Sequence, residues 1–159
     1  MSFTTIDVKK AHLLEDTKDW YLWIEQKKVT ALERDVWKFI NPSIKRSALP
    51  QLLRPEPPTP STVHPPIQGS TTPTAYSHLT VDEKEEYQCL NERYTIDERR
   101  YEQQEHALAA MRTVIHNTTK KDLLIYLIGC DTAYDMLVKL KTRFCPNDKI
   151  MERNLIEEY

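Results

Sequence analysis

The sequence predicts an all-α fold with a long central helix, or two in series, preceded by a disordered proline-rich linker. Three observations carry that reading. Residues 79–118 contain neither glycine nor proline, and apolar and aromatic residues recur there at alternating steps of three and four. The whole chain of 159 residues has two glycines, too few for a turn-rich β fold. Nine of its ten prolines fall between Pro42 and Pro73, so the remainder is free to form helices.

The seam of the long segment runs Tyr87, Leu90, Tyr94, Asp97, Tyr101, Gln104, Leu108, Met111, Ile115. Thr80 with Glu83 forms a capping box at its start. An unbroken helix of about 36 residues would be about 54 Å long and needs packing partners for stability. Thr95 with Glu98 is a second possible capping box, and Asp97 and Gln104 bring polar groups into the seam, so a break near Thr95 is the alternative. The seam is read as packed on the chain's own helices, with a homodimeric coiled coil as the second option. Ala107, Leu108, Met111, Val114 and Ile115 make the widest apolar face.

Four segments are expected along the chain. Residues 1–16 lack a pattern and are read as a flexible N-terminus. Residues 17–41 are a tryptophan-rich helical segment: Trp20, Trp23, Ile24 and Ala31 share one face, interrupted by Lys27, and a second short piece carries Val36, Trp37 and Ile40. Large aromatics at helical spacing read first as core anchors and only second as a ligand-stacking surface. Pro42 ends the helix near Ile40. Residues 42–78, which include RPEPPTPSTVHPPIQGSTTPT, are the linker, extended by clustered prolines. Residues 79–159 form the main helical domain. Within it, KDLLIYLIG is too uniformly apolar for periodicity to separate helix from strand, and is taken as a buried helix. Asp131 or Thr132 caps the next helix, whose Ala133, Tyr134, Leu137, Leu140 and Phe144 form a core stripe ending before Pro146. A last helix, KIMERNLIEEY, has no stop signal and is expected to be truncated from a longer helical domain.

Chemistry is sparse. The five histidines and three cysteines lack metal-ligand spacing, and His106 with Glu102 and Glu105 lacks the second histidine of a zinc-hydrolase helix. Neither a nucleophile elbow nor a phosphate loop nor a dinucleotide fingerprint occurs. A non-catalytic protein without cofactor, metal or small-molecule substrate is therefore expected. A net charge of −2 predicts no general attraction to nucleic acid or membrane. The lack of a signal peptide and the wide spacing of Cys89, Cys130 and Cys145 suggest reduced thiols and a cytoplasmic location. One basic edge, Lys139, Lys141, Arg143, Lys149 and Arg153, extended by Lys120 and Lys121, offers phosphate contacts without base specificity. Neighbouring acids weaken it, and ordinary solvation is the simpler reading.

The order of these segments resembles the amino-terminal part of Gag polyproteins from copia-type LTR retrotransposons, in their fungal versions. The likeness spans roughly residues 17–159. Its most specific piece is W-x-x-W followed by D-V-W-x-[FY]-I-x-P, carried by Trp20, Trp23, Asp35, Val36, Trp37, Ile40, Asn41 and Pro42. Further matches are Tyr101, Ile115, Tyr134, Leu137, Leu140, Arg143, Phe144, Pro146 and Asp148. The resemblance implies a capsid-like, self-associating structural protein of a transposable element, a homo-oligomer around RNA. The second helical half and zinc knuckle that such a protein would carry are not in this chain. A host-retained interaction adaptor, acting through the seam or the proline-rich segment, is the alternative, and RNA binding by the basic edge comes after it.

Overall fold

The computed structural model describes residues 12–65 and 74–146. Those residues are mostly helical and contain no strand; their one extended pairing is an isolated bridge between Leu14 and Thr119. The α-helices are α1 (Trp20–Glu33), α2 (Trp37–Ile40), α3 (Pro60–Val63), α4 (Val81–Asn117) and α5 (Ala133–Phe144). The chain forms two compact units, cut differently from the sequence segments. Among the described residues, one joins those up to Gln51 with those from Gln104 onward; the other lies within Leu52–Gln103. Helix α4 contributes to both and is continuous, so the alternative of two helices in series does not hold.

The first unit holds the core. Trp20, Trp23, Ala31, Val36, Ile40, Ala107, Met111, Ile115, Leu127, Ala133, Tyr134, Met136, Leu137, Leu140 and Phe144 are buried in one cluster. Leu14, which stands in a stretch without periodicity, belongs to it and is fully enclosed. Its N–H donates to the Thr118 carbonyl (2.8 Å), and its carbonyl accepts from the Lys120 N–H (2.9 Å). The Trp23 indole N–H also donates to the Thr118 carbonyl (3.0 Å). Residues 12–16 are thereby tied to the end of α4, against the expectation of a flexible terminus; residues 1–11 lie outside the described set.

Helix α1 ends in a Schellman arrangement. The Val36 N–H donates to the Ala31 carbonyl (2.9 Å), the Asp35 N–H to that of Leu32 (3.1 Å), and Asp35 takes the left-handed conformation at φ 57°. Short polar side chains tolerate that region best after glycine, which accounts physically for an aspartate before Val36 and Trp37. α2 then stops at Ile40, with Asn41 extended ahead of Pro42, as the proline predicts. α5 starts on Thr132, whose Oγ1 accepts from the Asp135 N–H (3.1 Å), and ends at Phe144 before extended Cys145.

KDLLIYLIG is not a buried α-helix. Lys121–Leu127 is a 3₁₀ helix, and three residues per turn sort its side chains into ridges. Leu127 is buried with Leu124 beside the core, Leu123 and Tyr126 flank it, and Ile125 and Ile128 face solvent. The segment 42–65 is also not a free linker. Tyr134 donates its hydroxyl to the Ile44 carbonyl (2.7 Å), Arg46 pairs with Asp135, and Lys141 Nζ donates to Ser43 Oγ (3.2 Å). Prolines remove backbone donors but leave carbonyls and side chains to make such contacts. The final helix expected over 149–159 lies outside the described residues.

Candidate association surfaces

α1 is apolar on two sides. Its inner face sets Trp20, Trp23, Lys27 and Ala31 in the core, with the two indoles 5.7 Å apart. On the outer side Leu22, Val29 and Leu32 follow at steps of seven and three, and each remains about half exposed (54%, 47% and 55%). This second stripe is absent from the reading of the sequence, which rests on the tryptophan face, although its spacing is helical too. Lys27 occupies the inner face at 4% exposure, its Nζ 5.2 Å from the Trp23 ring centroid. Burial pushes this amine down to about 8.

In the second unit the proline-rich segment lies against α4. Arg54 Nη2 donates to Glu98 Oε1 (2.7 Å), and His64 Nδ1 stands 2.8 Å from Glu83 Oε2. Between these clamps the Tyr87 hydroxyl reaches the Pro58 carbonyl at 3.5 Å, the long limit of a hydrogen bond. Tyr76 packs on Tyr87 (centroids 5.9 Å apart), and Lys84 lies over Tyr76. The Arg54 guanidinium and then the Tyr94 hydroxyl hold the Glu98 carboxyl below its ordinary value. Both arms of the capping box are made: the Thr80 N–H donates to Glu83 (2.9 Å) and the Glu83 N–H to Thr80 (3.2 Å). Glu83 is lowered first by the Thr80 backbone and then by His64.

A shallow cleft of about 350 Å³ opens in the first unit between the end of α4 and the start of α5. Arg112, Thr113 and His116 stand on one wall, and Leu127, Cys130 and Met136 make the other. Two residues of the expected basic edge are engaged within the chain. Lys141 bonds Ser43, and the Arg143 guanidinium stacks on Tyr126 at 3.9 Å, which in turn meets Phe144 edge-on. Lys139 is exposed, whereas Lys149 and Arg153 lie outside the described residues.

The motif residues gather differently. Trp20, Trp23, Val36, Ile40, Ile115, Tyr134, Leu137, Leu140 and Phe144 are buried together in the core, with Trp37 and Leu108 packed against it. Pro42 is half-buried; Tyr101 is half-buried too, and belongs to the other unit. Among the described residues, His, Cys, Asp and Glu form no group of three or more able to hold a metal ion. No helix there is long and apolar enough to cross a membrane. Comparison with family models, curated proteins and solved structures gives no match to this chain.

Proposed function

We propose that this chain is a structural, non-catalytic assembly module of the Gag type, a capsid-like helical piece of a copia-type retrotransposon protein that self-associates in the cytoplasm. The motif resemblance supplies the family. The observation that carries self-association is the outer stripe of α1. Three branched apolar side chains, each about half exposed, share the outer side of a helix anchored by two tryptophans, and an apolar stripe so placed suits contact with another protein surface. Because the stripe is exposed, changing it leaves the core intact. Wild-type protein should therefore show concentration-dependent association in sedimentation, and Leu22→Glu with Leu32→Glu should abolish it with unchanged helicity by circular dichroism. Wild-type protein that stays monomeric at several hundred micromolar would refute the reading.

The cleft beside Arg112 and His116 favours a second reading, a host-retained adaptor whose binding place is this cleft, receiving an acidic partner segment, rather than the seam or proline-rich segment expected from the sequence. It predicts partner recovery that is lost on Arg112→Glu and indifferent to the α1 changes. RNA binding has the least support, since Lys141 and Arg143 already serve contacts within the chain.

A further inference from the structure

Among the described residues of Leu52–Gln103, Leu79 is the one buried apolar side chain, so the second unit has little core of its own. What holds it is the antiparallel seating of an extended proline-rich segment on one face of α4. The lengths match. Five extended steps from Arg54 to Thr59 at about 3.1 Å and one helical turn over Pro60–Val63 at about 1.5 Å per residue span about 22 Å. The helix from Glu83 to Glu98 covers about the same length at 1.5 Å per residue. Arg54 therefore meets Glu98 at one end while His64 meets Glu83 at the other.

Proline segments dock on aromatic-lined surfaces because little conformational entropy is lost on binding; here Leu90 and Tyr94 line the cleft beside Pro55–Pro58, and the Tyr87 hydroxyl reaches the Pro58 carbonyl. The seat is open to solvent as well: a surface cleft of about 290 Å³ is lined by Pro55, Pro57 and Pro58 together with Leu90, Tyr94 and Asp97. Both clamps use donors that are well exposed, 65% for Arg54 and 43% for His64, and such pairs contribute little. A loosely held tethered ligand is displaced once an identical ligand reaches a comparable effective concentration, and crowded copies in an assembly provide that.

We propose that the Tyr87–Leu90–Tyr94 face of α4 is an exchange site, at which the Arg54–His64 segment of a second copy takes the place of the chain's own. This proposal rests on the self-association reading and adds a second, reciprocal contact between copies. It keeps every native contact while changing which chain supplies it, the energetic basis of segment exchange.

Charge reversal separates exchange from closure within one chain. Arg54→Glu and Glu98→Arg each place like charges together in any pairing a single variant can make, whether within one chain or between copies. Mixed, the two variants have matched pairs only between chains. The glutamate introduced at position 54 of one faces the arginine introduced at position 98 of the other, and the native Arg54 and Glu98 left on the two chains meet in return. In native mass spectrometry and sedimentation, the equimolar mixture should hold the mixed dimer in roughly three- to tenfold excess over its statistical share, the size expected of two exposed ion pairs. Each variant alone should associate no more strongly than wild type, and the chain carrying both reversals should behave as wild type. A statistical mixture, with wild type still associating, would overturn exchange and leave the α1 interface standing. Wild type and mixture both monomeric would overturn exchange together with self-association.

Discussion

Lys27 is a charged residue that the core accommodates at a cost. Its stem packs between tryptophan and alanine positions of α1, and burial lowers the amine from 10.5 to about 8. The attraction of the Trp23 ring offsets part of that penalty. Between about pH 8 and 10.5 the unfolded chain binds a proton at this site and the folded chain does not, so the group's contribution to stability rises with pH across that window. At neutral pH the cost is as much as about 3 kcal/mol, from about 1.4 kcal/mol per pH unit. Lys27→Met keeps the volume and removes the charge. It should raise the denaturation midpoint at pH 7, and the difference from wild type should shrink as pH approaches 10.5, as urea titrations at several pH values would register. A pH-independent difference would mean that Lys27 titrates in the fold as it does in the unfolded chain. Gln104 is the opposite case, a buried polar residue fully served: its amide donates to the Asp35 carbonyl (2.9 Å) and carboxylate (3.1 Å), fastening the left-handed end of α1 to α4. In the sequence Gln104 stands out as an anomaly of the seam. Its partner is not legible there, because the contact joins residues 69 positions apart.

Elements show where periodicity informs and where it fails. α4 is legible in its start and outer bounds because its capping box, its steps of three and four and its freedom from glycine and proline agree, whereas its continuity through Thr95 is not, since Thr95 with Glu98 offers a second capping box. The tryptophan face, the stop before Pro42 and the stripe of α5 are legible for the same reason. KDLLIYLIG is not, since a continuous apolar run has no period to separate buried Leu127 from exposed Ile125 and Ile128. The outer stripe of α1 is masked by the two tryptophans, whose size assigns the helix a single buried face. Helix starts can be tested directly. Thr80→Ala removes the acceptor for the Glu83 N–H and should cost about 0.5–2 kcal/mol locally. Since this first turn stands in the unit with little core, the loss should appear as faster amide exchange over the first turns of α4. The global melting midpoint should stay nearly unchanged. A cooperative drop in that midpoint would show that the turn is coupled to the main core.

At the scale of the molecule, one continuous helix belongs to two units of very different construction. From Gln104 onward α4 buries Gln104, Ala107, Met111 and Ile115, whereas from Val81 to Gln103 its seam residues are at most half-buried. Helical hydrogen bonds alone do not hold a segment of that length in water; tertiary packing does. Amide protection along a single helix should therefore fall in two steps rather than fade evenly. Amides of residues 108–117 should exchange only by global unfolding and follow its denaturant dependence, while those of residues 85–100 should open sub-globally, with smaller free energy and weaker denaturant dependence. Arg54→Ala should speed exchange in the second set and leave the first untouched, because Arg54 clamps Glu98 and no residue of the core. Native-state hydrogen exchange resolved by mass spectrometry measures both sets in one experiment. Uniform protection from Val81 to Asn117 would mean that the helix unfolds as one cooperative body, and that the Arg54–His64 segment is fixed too firmly on its face to be exchanged between copies.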